Sequence, residues 1–185
     1  MAPIRTWPPA IAVTVASGLL IAAALPPVGL WPLAFAGIVL LDWALAGQGP
    51  RSRFVRGFIA EAAVLFPTLT WMTPFTLPGY VAAAVIMSAM FGLGAVLVPP
   101  RSPARWLALP AAIVLVEAVR GRWPFGGVPL STLAYAEVAG PLAPTARLGG
   151  ALLLIGMTVV AGAVLAALAR RAWPPAAIGA GVVLA

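Results

Sequence analysis

Long apolar stretches, interrupted at short intervals by proline, glycine and arginine, run the whole length of the 185-residue chain. Interruptions of this kind mark helix ends, because proline lacks the N–H a helix needs and glycine loosens the backbone. The pattern predicts helices over about 8–25, 30–46, 54–72, 80–98, 106–120, 148–169 and 173–185. No sustained period-two alternation is present, so helices rather than a barrel are the spanning element. The fifth segment is short and contains Pro110, which predicts a kink. The seventh would rise only about 20 Å at ~1.5 Å per residue, against roughly 30 Å of hydrocarbon. It ends on Gly181-Val182-Val183-Leu184-Ala185 with no polar flank, so it is expected to be a helix cut short. The expected fold is an all-α polytopic membrane protein, a bundle of about seven transmembrane helices with the last truncated, forming one domain over 1–185.

Composition explains why the bundle should sit in lipid. Hydrophobic residues make up 63% of the chain and charged residues 8%, and the mean hydropathy is +1.07. A soluble domain carries roughly 25% charged residues to cover its surface. The net charge of +7 would point to nucleic acid in a soluble protein. Here the arginines instead set orientation, and no nucleic-acid partner is expected. With the N-terminus in the cytoplasm, Arg5, Arg51, Arg53, Arg56, Arg101, Arg105, Arg170 and Arg171 fall on the cytoplasmic side. Only Arg120, Arg122 and Arg147 fall on the other, a positive-inside pattern. The seventh helix would then run outward, and anything after Ala185 would emerge outside the cytoplasm. Arg5, an apolar run and Ala22-Ala23-Ala24 also fit a cleavable signal peptide, but further spanning segments follow at once, which favours an uncleaved first helix.

Candidate chemistry is sparse. The chain has no Cys and no His, which removes thiol nucleophiles, disulfides, thiolate metal sites and imidazole bases. No nucleotide loop, metal-ligand spacing or nucleophile elbow occurs, so neither a metal nor a cofactor is expected. The one charged cluster outside the cytoplasmic links is Glu117, Arg120 and Arg122, followed by Trp123-Pro124-Phe125-Gly126-Gly127. Glu117 and Arg120 are three apart, so on a helix their side chains meet. A charge in hydrocarbon is costly unless paired, which makes the pair a functional candidate. The alternative is an ion pair that anchors the helix end, with Trp123 in the aromatic belt. Gly126, Gly127, Pro124 and Pro129 predict irregular backbone, tolerated at membrane depth only when buried or lining a wet cavity.

Elsewhere, Glu61, about two turns inside the third segment on its cytoplasmic half, is expected to bond a neighbouring helix or the preceding arginines in a structural role. Asp42 is expected at the interface, and Glu137 and Tyr135 in the outer link between the fifth and sixth segments. Trp71-Met72-Thr73-Pro74-Phe75 reads as an interfacial anchor. Gly156, Gly162 and Ala166 form a small-residue spacing suited to close helix packing.

Four stretches in order together resemble the membrane domain of bacterial apolipoprotein N-acyltransferases. They are Leu25-Pro26-Pro27-Val28-Gly29-Leu30-Trp31-Pro32-Leu33-Ala34; Pro110-Ala111 with Glu117-Ala118-Val119-Arg120-Gly121; Gly127-Val128-Pro129-Leu130 with Leu133-Ala134-Tyr135 and Gly140-Pro141-Leu142; and Arg170-Arg171-Ala172-Trp173-Pro174. The chain departs from the family's Phe-Pro-Trp at Val128-Pro129-Leu130. The resemblance implies a multi-pass protein of the bacterial cytoplasmic (inner) membrane. It also implies transfer of an acyl chain from a phospholipid donor to the N-terminal cysteine of a diacylated lipoprotein. In that family a thioester forms on the Cys of a Glu-Lys-Cys triad, carried by a nitrilase-like extracytoplasmic domain between the seventh and eighth helices. This chain contains none of the triad, so no catalytic residue is assigned and the fragment alone is expected to be inactive. Glu117, Arg120, Trp123 and Tyr135 are the lipid-binding candidates. The alternative is a non-catalytic membrane scaffold for a partner such as a polyprenol-phosphate mannosyltransferase. A small transporter is disfavoured, since no inverted repeat is visible and the charges fall at helix ends.

Overall fold

The computed structural model describes residues 7–124 and 126–170. The seventh segment at 173–185, together with Arg5, Phe125 and Arg171, lies outside the described residues. Among these residues the protein is all-helical, with no strand. Its helices are α1 (Trp7–Ala24), α2 (Pro32–Leu45), α3 (Pro50–Thr68), α4 (Leu77–Leu97), α5 (Arg105–Arg120) and α6 (Ala146–Ala169). Short 3-10 turns occupy Thr70–Met72, Leu133–Glu137 and Ala143–Thr145.

Proline starts three of these helices. It stands at the first or second position of α2, α3 and α4, where its missing N–H has no helical partner to lose. The Thr76 hydroxyl also caps α4, accepting from the Gly79 N–H at 3.1 Å. The largest shift from expectation is at α3, which starts at Pro50 rather than near 54. Arg51, Arg53 and Arg56 therefore belong to the first turns of a helix and not to a link, and Arg53 and Arg56 are buried. At the start of α6, Gly149 and Gly150 leave helical geometry, Gly150 with φ +66°. Pro110 lies inside α5, which continues through it to Arg120.

The helices close into a ring whose order is not the chain order. α1 packs on α3, α3 on α4, α4 on α5, α5 on α6, α6 on α2, and α2 back on α1. The larger of two apolar clusters has Ile38, Leu41, Leu45, Val64, Leu109 and Ile155 among its buried members, and the smaller gathers Leu65, Leu69, Ala84 and Met87. The α2–α6 contact depends on Gly162, where a Cβ would meet Ile38 Cγ2 at 2.6 Å. Of the small-residue series, Gly162 and Ala166 are buried, whereas a Cβ at Gly156 would make only an ordinary 3.4 Å contact with Val114.

Charge is buried and apolar surface is exposed more than a water-soluble bundle would show. All four acidic residues of the chain are buried: Asp42, Glu61, Glu117 and Glu137. On α4, by contrast, Val81, Val85, Ile86, Leu93 and Leu97 are exposed. Two described helical segments, Leu77–Leu97 and Ala143–Ala169, are long and apolar enough to cross a membrane. Two shorter apolar helices, Ala10–Ala24 and Pro32–Leu45, accompany them.

Candidate functional site

Arg120, the last residue of α5, is 1% exposed and ties together three parts of the chain. Its Nη1 donates to Glu117 Oε1 at 2.7 Å, one turn back on α5, and to Glu61 Oε1 at 2.9 Å on α3. Its Nη2 donates to the Leu130 carbonyl at 2.7 Å, in the link after α5. Glu117 is held from its other side, where Thr132 Oγ1 donates to Oε2 at 2.8 Å. Isolated charges in such a place would each cost several kcal/mol, and only close hydrogen-bonded pairing offsets that. The planar guanidinium suits this role, since it directs several N–H groups in fixed directions.

The link from Gly121 to Thr132 takes its path from the same residue. Gly126 and Gly127 have φ of +86° and +119°, a region closed to most side chains. A Cβ at Gly127 would also collide with the Gly121 carbonyl. The resulting turn brings the Val128 N–H to the Arg120 carbonyl at 2.8 Å. Arg120 therefore holds this link by both its side chain and its main chain. Between the link and the helices lies a cavity of about 30 Å³, lined by Glu61, Glu117, Ser131 and apolar residues including Ile38 and Phe91. That exceeds the ~10–15 Å³ needed for one water, and the two carboxylates give such a water polar partners.

Glu117 and Arg120 meet as their spacing predicts. Trp123 and Tyr135 do not join them: both are exposed, at 58% and 48%, on the surface of the link. They mark the rim of this end and not its interior. Glu61 bonds a neighbouring helix, as expected, but at the Arg120 end and not on the cytoplasmic half, where it is the third ionic member of the site. Its only sequence signal is a carboxylate in the middle of an otherwise apolar helical stretch. Glu137, expected in an outer link, lies in the Leu133–Glu137 turn and is fully buried. No donor reaches either of its carboxyl oxygens with full hydrogen-bond geometry. Burial pushes its carboxyl above the ordinary range, while the nearby Leu142 amide pulls the other way. In the 71–75 stretch, Trp71 and Phe75 are exposed, with their rings 6.4 Å apart.

A second ionic cluster occupies the opposite end of the ring. Asp42, expected at an interface, is 3% exposed because two arginines converge on it. Arg105 Nη2 lies 2.6 Å from Asp42 Oδ1, and Arg170 pairs with Oδ2. Arg53 donates to the Val98 carbonyl and Arg56 to the Ala44 carbonyl, the latter at 2.6 Å. Among the described residues no group of acidic, His or Cys side chains could hold a metal ion.

Comparison with known proteins gives these features a family context. Residues 17–165 match the family model of the apolipoprotein N-acyltransferase N-terminal domain. The chain is 30% identical, over 197 aligned residues, to an apolipoprotein N-acyltransferase of Azotobacter vinelandii (strain DJ / ATCC BAA-1303). The alignment takes in 96% of this chain but 38% of that protein, so the chain spans well under half the length of this curated relative.

Proposed function

The chain belongs to the apolipoprotein N-acyltransferase family, and from that premise we propose that it is the membrane domain of such an enzyme. It would cross the bacterial inner membrane several times, with the Asp42 end and its arginines in the cytoplasm. Buried charge, an apolar outer surface and two long apolar helices support this placement. With neither Cys nor Lys, the chain cannot itself form a thioester on a Glu-Lys-Cys triad. Its part is to anchor the catalytic domain and to admit the phospholipid acyl donor and the diacylated lipoprotein at the Arg120 end. Glu117, Arg120 and the 126–130 turn support lateral lipid entry there, with Trp123 and Tyr135 at the rim.

The observation that carries this reading is the bonding of Arg120 to Glu61, Glu117 and the Leu130 carbonyl. It fixes an irregular, glycine-rich segment at one end of an apolar bundle, where a lipid would have to enter. The test is Arg120→Lys in a full-length enzyme, which keeps the charge and loses the fork. Formation of the acyl-enzyme from phospholipid should fall at least tenfold, on the scale of misplaced positioning groups, while insertion and expression stay normal. Unchanged acyl-enzyme formation at normal expression overturns the lipid-entry role. A native protein that carries no acyl transfer but holds a partner enzyme at the membrane would instead be the scaffold.

A further inference from the structure

The Asp42 end contains a second, larger cavity of about 260 Å³, between α2, the α4–α5 link, α5 and α6. This is close to the lower end of ordinary small-ligand pockets, at ~300 Å³. Its lining includes Asp42, Arg101, Ser102, Arg105, Trp106 and Arg170. Three arginines thus line the pocket with one carboxylate, and that carboxylate is already engaged by Arg105 and Arg170. Arg101 is exposed and forms no ion pair among the described residues. Arg105 is 9% exposed, and its buried Nε has no hydrogen-bond partner. The N-terminus of α5 opens at the same place, adding the positive end of its dipole.

We propose that this pocket binds a phosphate anion, presented as the headgroup of an acidic phospholipid in the cytoplasmic leaflet. Phosphate oxygens match the guanidinium fork, and the surplus positive charge makes a zwitterionic headgroup the poorer ligand. Basic pockets between membrane helices on the cytoplasmic side hold acidic headgroups in this way. Trp106 suits the headgroup level, and exposed Leu107 beside it offers an apolar path for the acyl chains. The site is at the other end of the molecule from Arg120, so it would hold a structural lipid and not the acyl donor. The inference rests on the membrane placement proposed above but not on acyl transfer.

Native mass spectrometry of the full-length protein in detergent, titrated with phosphatidylglycerol or phosphatidylcholine, tests it. Phosphatidylglycerol should bind about tenfold more tightly, and Arg101→Gln should weaken it about fivefold, as expected for one arginine near an acidic headgroup. Arg101→Lys should keep most of the binding. Arg101 is exposed and unpaired, so its loss leaves the fold intact. Equal retention of the two lipids, or no change in Arg101→Gln, overturns the proposal. Millimolar orthophosphate separates the two sources of the anion: complete displacement of phosphatidylglycerol assigns the pocket to free phosphate and overturns the headgroup. Resistance to displacement supports it. Recovery of the protein in the soluble fraction without detergent would instead sink the membrane placement itself.

Discussion

At the Asp42 end, guanidinium groups outnumber carboxylates, and part of the surplus goes to backbone carbonyls at helix ends, such as Val98 and Ala44. At the Arg120 end the ratio is reversed: Glu61 and Glu117 share one guanidinium, which also reaches the Leu130 carbonyl. The last carbonyls of a helix have no helical donor and carry the negative end of its dipole, so cations there are favourable even without a carboxylate. The first cluster is thus a distributed latch between helix termini. The second depends on a single cation, and an irregular segment depends on it too. Charges buried in one bundle can therefore differ in what their loss would do, according to how many other acceptors each cation has.

Removing the shared cation should have the largest effect. Arg120→Leu leaves two carboxylates buried without their cation and should destabilise the full-length protein by ~3–5 kcal/mol. Thermal unfolding in detergent should show the largest fall of the series, with the 121–132 link losing hydrogen-exchange protection first. Asp42→Asn should cost less, ~1–3 kcal/mol, because Arg105 keeps the Pro99 and Asp42 carbonyls and Arg170 keeps that of Ala166. Equal losses for the two variants would show that the two clusters are energetically alike.

The smallest effect concerns Glu137, near the Arg120 end and outside that network. Its carboxyl is raised above 4.5 in the folded state by burial, so the folded protein holds the proton more tightly than the unfolded chain. Stability from this group is complete below about 4.5 and is lost as pH rises through the raised folded value. Glu137→Gln should remove this dependence. Its melting temperature relative to the parent should be near zero difference at the acid end and grow more positive with pH. A difference that shrinks with rising pH would mean that the carboxylate is stabilised by a donor.

The chain alone determined a good deal. Its breakers placed all six described helices, since a proline or glycine acts where it stands, whatever packs nearby. The three-residue spacing of Glu117 and Arg120 predicted their contact, because that is local helix geometry. What was not legible lay across helices. Glu61 is 59 residues from Arg120 in the chain, and Arg105 is 63 from Asp42. No spacing rule connects residues so far apart. Trp123 and Tyr135, close to the pair in sequence, nevertheless stay on the surface, because the Gly126–Gly127 turn carries the link back on itself. Only the closing of the ring, with α2 between α1 and α6, decided which buried charges met. Side chains of different helices meet by packing, and packing depends on every face at once.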